Sequence, residues 1–500
     1  MSKKIFFKGI SYSYLRQFIT LVSGILSLPL LLNYFGDRSY GIWVLVLGLA
    51  GYLNTISFGI PSAMITLVSK TSNLNEKYEI LKKSFYILSI LASFFLLILI
   101  FALYINDDWI ISLLGNIEIE LIPLAKNMFI LFVIFTLVKL PLNLYMQFFT
   151  GMNVVYISEI YIIFTIIINF MSVVIAVYFN LEILIFIILW IMGQLFLNII
   201  SVFHVLIKYK DLKSESNTNH MISNKDILKS GFAFFQVGIA TTIVWSTDNL
   251  VISHFMSPEF VTPYSIGFKI FAYIFMFSAI INGVVGPMYG NAYAKNDWEN
   301  IKKYTLMIHK LLPILGALVW IFLIFFAKEI IISWTGNPDA FGGYLFIFSL
   351  GLYGYVLSFV NTYATLVYSL NYTNKTLKIA WSEAILNLLF SVILIQYFGI
   401  GGVALGTALA AFLISLILPR TIEKLTNGKI IYDFTYTKKH FIFLVMPSIL
   451  LSIYLVDFSL LYKITIFVVF FIIYSLFSWK FLPDIDKVVL LNFIKKRKRS

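Results

Sequence analysis

Long apolar runs separated by short polar segments dominate this chain. A helix needs about 20 apolar residues to cross the hydrocarbon core of a bilayer. Fourteen runs approach or exceed that length, near residues 9–34, 39–68, 81–104, 121–148, 152–179, 181–209, 227–254, 261–288, 304–327, 344–369, 375–398, 402–426, 441–457 and 462–480. The pattern predicts an all-α polytopic membrane protein with about fourteen transmembrane helices.

Basic residues in the polar segments are concentrated on one side. If the N-terminus is cytoplasmic and the runs alternate, 29 of the 37 Lys and Arg residues fall in cytoplasmic segments, and only Arg38, Lys328 and Lys463 fall outside. Cytoplasmic loops are enriched in Lys and Arg, so both termini are predicted to be cytoplasmic. The basic tail Lys495–Arg499 then lies beside anionic headgroups. Because no folded basic domain accompanies the tail, we expect no nucleic-acid partner.

Composition narrows the possible functions. Hydrophobic residues make up 60% of the 500 residues and charged residues 12%, about half of the roughly 25% found in soluble domains. Cysteine is absent and the five histidines are scattered, which excludes disulfides, thiol nucleophiles and common metal-ligand spacings. The loops are too short to hold a soluble catalytic domain. We therefore expect no catalytic site and no bound metal.

An internal repeat divides the chain. The segment Trp109–Asn116 matches Ile330–Asn337 at five of eight positions with an offset of 221 residues, and two weaker matches have offsets of 219 and 222. An offset of six helices preserves orientation, which predicts two parallel lobes related by an axis along the membrane normal. The predicted domains are an N-lobe of helices 1–6 (residues 1–226), a C-lobe of helices 7–12 (227–428), and helices 13–14 with the basic cytoplasmic tail (429–500).

Two motifs carry a family resemblance. The first hairpin, Leu32–Trp43, reads LNYFGDRSYGIW, and a glycine-rich turn at Tyr397–Ala408 reads YFGIGGVALGTA. The chain resembles the polysaccharide-type flippases, which include O-antigen and capsule-unit translocases, of the multidrug/oligosaccharidyl-lipid/polysaccharide (MOP) exporter superfamily. Members often carry an acidic residue before the Phe-Gly that ends the second helix. Ser57 stands at that position here, so the resemblance does not extend to a proton or cation role there.

The resemblance implies transport rather than catalysis. Members of the family carry an undecaprenyl-diphosphate-linked oligosaccharide across the bacterial cytoplasmic (inner) membrane by alternating access, for the synthesis of surface polysaccharide such as O-antigen or capsule. The implied partners are this lipid-linked substrate, membrane lipids and the polysaccharide polymerase or assembly proteins. We expect a monomer without a cofactor, coupled to a gradient of H+ or Na+.

Basic residues inside the predicted helices are candidates for substrate binding, since charge in a membrane helix is costly. Five lie within the runs: Arg16, Lys126, Lys139, Lys269 and Lys310. Arg16, Lys139 and Lys269 are the predicted substrate-binding residues, and the guanidinium fork of Arg16 suits a diphosphate. The alternative for Arg16 is a side chain that snorkels to the headgroups, as we expect for Lys126 and Lys310.

Three acidic residues, Glu159, Asp248 and Glu383, are candidates for ion coupling. Lys139 and Glu159 are predicted to lie at similar depths, roughly 10–14 Å from the cytoplasmic surface at 1.5 Å per residue, where they can pair across a hairpin. Asp248 and Lys269 form a second predicted pair. Each pair is either purely structural or part of a site that binds the coupling ion, and the sequence leaves both alternatives open.

Two other functions compete with the flippase. A multidrug or cation antiporter of the same superfamily should favour acidic residues without partners, whereas here five basic residues stand against three acidic ones within the helices. A membrane glycan polymerase or ligase needs a sizeable outer loop or soluble domain, and the spacing of the runs leaves room for neither. The balance favours an anionic cargo.

Overall fold

The computed structural model describes residues 3–71, 73–209, 223–370, 372–431, 438–446 and 458–481. Its contacts divide the chain into two compact units, Met1–Thr262 and Pro263–Ser500, called here the N-terminal unit and the C-terminal unit. These units are defined by contact rather than by the internal repeat. The lobes predicted at 1–226, 227–428 and 429–500 therefore stay predictions.

Helices make up the regular structure, and no strand occurs among the described residues. The helices of the N-terminal unit are α1 (Lys3–Thr55), α2 (Ile60–Lys70), α3 (Leu74–Ile105), α4 (Trp109–Leu114), α5 (Ile122–Gly151), α6 (Val155–Tyr178), α7 (Ile183–Lys208) and α8 (Asn224–Phe255). The next helices are α9 (Val261–Ala294), α10 (Trp298–Thr335), α11 (Tyr344–Ser369) and α12 (Thr373–Leu425), followed by a π-helical turn (Phe441–Val445) and α13 (Leu460–Phe481).

The observed helices follow the predicted apolar runs. Ten described segments are long and apolar enough to cross a membrane, which confirms the all-α polytopic membrane fold. The runs 375–398 and 402–426 merge into one kinked helix, α12. The run 9–34 and the first part of the run 39–68 merge likewise into α1, and the rest of the second run forms α2 after a turn at residues 56–59. The predicted helix 441–457 lies outside the described residues beyond residue 446, as do the 210–222 segment and the tail from 482 onward.

Glycine permits the kinks in α1 and α12. Gly36 has φ 71° and ψ 162°, and Gly399 has φ 55° and ψ −140°. These φ/ψ values lie outside the left-handed helical region, and a residue with a Cβ atom that adopts them is strained by roughly 1–3 kcal/mol, whereas glycine adopts them readily. Both glycines follow a Tyr-Phe dipeptide, so the two motifs of the sequence mark the two places where a long helix changes direction.

Close helix contacts organise the N-terminal unit. Helix α1 packs beside α6, and α8 packs along α1 and α2. At one end of this seam a Cβ atom on Gly41 would lie 2.0 Å from the carbonyl oxygen of Pro258, so only glycine fits. Further along, the rings of Phe58 and Phe235 stack with centroids 4.6 Å apart. These contacts hold α8 within the N-terminal unit.

Aromatic side chains fill the space between α1, α5 and α7. Trp43 lies 5.2 Å from Phe132, 5.3 Å from Phe186 and 5.7 Å from Trp190, measured between ring centroids. Edge-to-face and tilted ring pairs at such distances add roughly 0.5–1.5 kcal/mol each beyond their burial. This aromatic cluster fixes the position of α7 against α5.

A buried histidine ties α13 to the C-terminal unit. His440, just before the π-helical turn, is fully buried. Its Nδ1 lies 3.2 Å from the Tyr355 hydroxyl of α11, and its Nε2 lies 3.0 Å from the Tyr474 hydroxyl of α13. The Tyr474 hydroxyl also donates a hydrogen bond to the carbonyl oxygen of Ile314 on α10, at 3.1 Å. Three hydrogen bonds in series therefore connect the His440 segment, α11, α13 and α10.

Candidate functional site

An ion pair joins α1 and α6 in the N-terminal unit. Arg16 Nε lies 2.5 Å from Glu159 Oε2, and the Ser13 hydroxyl donates a hydrogen bond to Glu159 Oε1 at 2.8 Å. Glu159 is 8% exposed. A buried carboxylate is tolerated when it is paired and both oxygens accept hydrogen bonds, as here. The pair thus stabilises the contact of α1 with α6, and neither the pair nor Ser13 was predicted from the sequence.

Arg16 uses only one guanidinium nitrogen in this pair. Its side chain is 32% exposed, and its terminal nitrogens make no hydrogen bond to the residues that the structure describes. A guanidinium has five N–H donors in a planar fork, so four remain for another acceptor. Arg16 can therefore hold Glu159 and bind a phosphate group at the same time.

Two further residues extend the Arg16 face of α1. Lys8 and Tyr12 precede Arg16 at intervals of four residues, so the three side chains share one face of the helix. The Lys8 ammonium lies 5.6 Å from the centre of the Tyr156 ring on α6, and the ring of Tyr12 lies 6.3 Å from the same ring. The sequence assigned Lys8 to a polar terminus, so its place on this basic face was missed.

The predicted pairing of Lys139 with Glu159 is wrong. Lys139 lies twelve residues before α5 ends and Glu159 four residues after α6 begins, so at 1.5 Å per residue their heights differ by about 12 Å. The predicted equal depths came from helix ends that were misplaced by three residues. Lys139 instead donates a hydrogen bond to Gln194 Oε1 at 2.7 Å and lies 5.2 Å from the centre of the Phe135 ring.

Asp248 and Lys269 lie in different units. Asp248, on α8, is 4% exposed, and its neighbour Thr247 contacts the Tyr52 hydroxyl of α1. Lys269 lies on α9 and is half-buried. The predicted pairing of these two residues stays a prediction, and both remain candidates in their own units.

Glu383 is the acidic candidate of the C-terminal unit. It lies ten residues after the start of α12, about 15 Å along the helix, and is half-buried. It has no hydrogen-bond or ion-pair partner among the described residues. A carboxylate without a counter-charge inside a membrane helix is costly unless it binds a proton or a cation. Glu383 therefore suits the exchange of an ion.

Metal chemistry has no evident place in the described part of the chain. No group of three or more His, Cys, Asp or Glu side chains there is arranged to hold a metal ion. The described charges form ion pairs, such as Arg16 with Glu159, or groups of three, such as Lys126 with Asp107 and Asp108. Such arrangements can bind and release ions and charged cargo.

Comparison with known families supplies an independent line of evidence. The profile of the family described as Polysaccharide biosynthesis protein matches residues 6–293, more than half of the chain. The chain belongs to this family. A second profile, MatE, matches residues 236–393. The two matches confirm the resemblance to the MOP superfamily that the two glycine motifs indicated.

One curated relative aligns with part of the chain. A Salmonella typhimurium (strain LT2) protein named for O-antigen transport is 29% identical over 187 residues, which make up 36% of this chain and 42% of that protein. The chain therefore aligns with about two fifths of the relative's length. This partial similarity agrees with the family assignment.

Solved structures share the fold. The lipid II flippase MurJ, in an inward closed conformation, has a TM-score of 0.70 at 18% identity and covers 94% of this chain and 99% of its own. A multidrug resistance MATE family transporter of the MOP superfamily, in an inward-facing conformation, has a TM-score of 0.67 at 15% identity over 83% of this chain and 95% of its own. At such identities the likeness is one of fold.

Proposed function

We propose that the protein moves an undecaprenyl-diphosphate-linked oligosaccharide across the bacterial cytoplasmic membrane by alternating access, and so supplies surface polysaccharide biosynthesis. Membership of the polysaccharide biosynthesis family and the relative named for O-antigen transport support this cargo. The protein acts as a transporter and not as an enzyme. Its N- and C-termini are cytoplasmic, and it works as a monomer among membrane lipids, beside the polymerase that uses its product.

The observation that carries the proposal is the half-exposed guanidinium of Arg16. A diphosphate offers several anionic oxygens, and the four N–H donors that Glu159 does not use match such a group in a bidentate manner. Lys8, on the same face of α1, adds positive charge. Lys139 is offset from Glu159 by about 12 Å along the helix axes, so we assign the diphosphate to Arg16, and Lys139 and Lys269 remain candidates for other parts of the cargo.

An ion gradient of H+ or Na+ drives the cycle in this proposal. Among the three acidic candidates, Glu159 is already neutralised by Arg16, and Asp248 is buried beside the contact of Thr247 with Tyr52. Glu383 has no ion-pair partner among the described residues. We therefore favour Glu383 as the acidic group that binds the coupling ion.

A multidrug or cation antiporter is the second candidate function. The specific observation in its favour is Glu383 itself, because a carboxylate without a partner also suits a cationic drug. The residue lies within the MatE match at 236–393. The cluster of Arg16, Lys8 and the other basic residues on the described helices does not suit a cation.

Deletion of the gene separates the two functions. A flippase deletion should leave the lipid-linked oligosaccharide assembled but retained on the cytoplasmic leaflet, with less surface polymer. Purified protein in proteoliposomes should move a fluorescent undecaprenyl-diphosphate disaccharide between leaflets. A deletion strain that exports normal polymer and becomes sensitive to cationic drugs would contradict the flippase and support the antiporter.

A further inference from the structure

Helix α7 carries a buried polar face within an apolar sequence. Gln194, Asn198 and Ser201 are 2%, 1% and 0% exposed, although the helix around them consists mainly of Ile, Leu and Phe. Spacings of four and three residues place the three side chains on one side of the helix. Polar groups in the middle of a membrane helix are expensive unless they find hydrogen-bond partners, in neighbouring helices or in water.

Two atoms of this face lack hydrogen bonds. The Asn198 Nδ2 amide donates to the Gln194 carbonyl at 2.8 Å, and the Ser201 hydroxyl donates to the Asn198 carbonyl at 2.6 Å. Gln194 Nε2 and Asn198 Oδ1 have no partner among the residues that the structure describes. One atom is a donor and the other an acceptor, one helical turn apart. A water molecule that enters this face can accept from the Gln194 amide and donate to the Asn198 oxygen.

Lys139 contacts Gln194, the first residue of this polar face, and has no ion-pair partner among the described residues. Its contacts are the carboxamide oxygen of Gln194, at 2.7 Å, and the ring of Phe135. On the helices that pack against α5, Arg16 and Glu159 pair with each other. The other acidic, basic and histidine residues on those helices are near helix ends or near the kink at Gly36. They are Lys3, Lys4, Lys8, Asp37, Arg38, Lys70, Glu76, Lys77, Glu79, Lys82, Lys83, Glu120, His204 and Lys208.

A carboxamide can serve both charge states of the lysine. Gln194 Oε1 accepts a hydrogen bond from the ammonium form. After a rotation of its side-chain amide, Gln194 Nε2 can donate to the lone pair of the neutral amine. A carboxylate in the same place would instead hold the proton on the lysine. The neutral partner therefore allows Lys139 to release and regain a proton at a small energetic difference.

We propose that Lys139 is a proton-binding group of the transport cycle and exchanges its proton with water along the polar face of α7. In the release step one Nζ–H bond breaks, the proton passes to a water molecule that enters beside Gln194 and Asn198 and becomes hydronium, and the nitrogen keeps the electron pair. This inference rests on the proposed transport function and gives Lys139 a role other than binding the cargo. Gln194 and Asn198 are positioning residues in this scheme.

The decisive measurement is the steady-state distribution of the fluorescent undecaprenyl-diphosphate disaccharide between leaflets under an imposed pH gradient. One proton per cycle changes this ratio about tenfold for each pH unit, whatever the speed of the protein. We expect the ratio of Lys139→Met to be about tenfold lower than that of the wild type per pH unit, because the variant carries one proton fewer per cycle. The matched control Lys126→Met should keep the wild-type ratio, because Lys126 already pairs with Asp107 and Asp108.

A second measurement needs no transport. Purified Lys139→Met in detergent should take up one fewer proton per chain than the wild type on acidification. In the transport assay, Asn198→Leu should slow the response of the leaflet ratio to a pH jump. An unchanged proton count, a Lys139→Met ratio equal to that of the wild type, or a wild type that follows sodium alone would overturn the inference. A wild type that moves no probe at all contradicts the proposed function instead, and the proton count still tests Lys139.

Discussion

Replacement of Arg16 should separate a cargo-binding role from a structural one. Arg16→Lys keeps the charge next to Glu159 but loses the planar fork, while Arg16→Ala loses both. If the terminal nitrogens bind a diphosphate, Arg16→Lys should transport poorly and Arg16→Ala should be nearly inactive. A side chain that only snorkels to the headgroups predicts full activity for Arg16→Lys, because lysine snorkels as well as arginine.

The structure sets the size of each effect. A hydrogen bond to a charged group contributes roughly 1.5–3 kcal/mol, which corresponds to about a tenfold to hundredfold loss of affinity. Arg16→Ala also leaves Glu159 buried without its partner. That change costs about 3–5 kcal/mol for a fully buried pair and less here, since the Arg16 side chain is 32% exposed. The single variant therefore mixes lost binding with lost stability.

A paired substitution resolves the mixture. The double variant Arg16→Met with Glu159→Gln removes both charges, so its thermal stability in detergent should return toward the wild type while its affinity for the lipid-linked probe stays low. The control is Lys82→Met with Glu79→Gln, which removes a surface ion pair and should change neither quantity. Full flipping by the stable double variant in proteoliposomes would refute the assignment of Arg16 to the cargo.

Three further predictions concern other parts of the fold. Gly41→Ala should lower the melting temperature more than Gly36→Ala. Gly36 has open space around its Cβ position, so its replacement should cost only the backbone strain, roughly 1–3 kcal/mol. Equal melting temperatures would show that the contact of Gly41 with Pro258 can relax. Sodium at a hundred times its Kd should stabilise the wild type by about 2.7 kcal/mol but not Glu383→Gln, whereas stabilisation of both by sodium would exclude Glu383 as the sodium site. Single cysteines placed at Ser2, Ser214 and Ser500 of this cysteine-free chain should resist labelling from outside intact cells. Labelling at any one of the three would contradict the predicted cytoplasmic location of that segment.

Periodicity and length were enough to predict most of the fold. The run 344–369 coincides with α11, because both of its ends are marked by glycine or polar residues. The matched segments of the internal repeat both end a helix at a glycine of positive φ, 93° at Gly115 and 70° at Gly336. What apolar runs cannot show is whether a hairpin turn breaks a helix or bends it, which is why α1 and α12 were predicted as two helices each.

The candidate site was predicted less well than the fold. The charged residues Arg16, Glu159 and Lys139 stand out in an apolar sequence, so the sequence identified them. Their partners depend on which helices are neighbours, and the sequence suggested the α5–α6 hairpin, whereas the structure places α1 beside α6. The polar face of α7 was detectable in principle, since Gln194 and Asn198 recur at helical spacing, but neutral polar residues attract less notice than charges.

The contacts of His440 form a chain of hydrogen bonds that runs in one direction. A carbonyl oxygen only accepts, so the single hydroxyl proton of Tyr474 points to Ile314, and Tyr474 must receive a proton from His440 Nε2. In a neutral imidazole the other nitrogen is then an acceptor, and Tyr355 donates to it. The ring is thereby fixed as the Nε2–H tautomer. The last helix of the described chain is therefore held by hydrogen bonds with a fixed donor and acceptor at each step. An apolar contact of the same shape would not impose that direction.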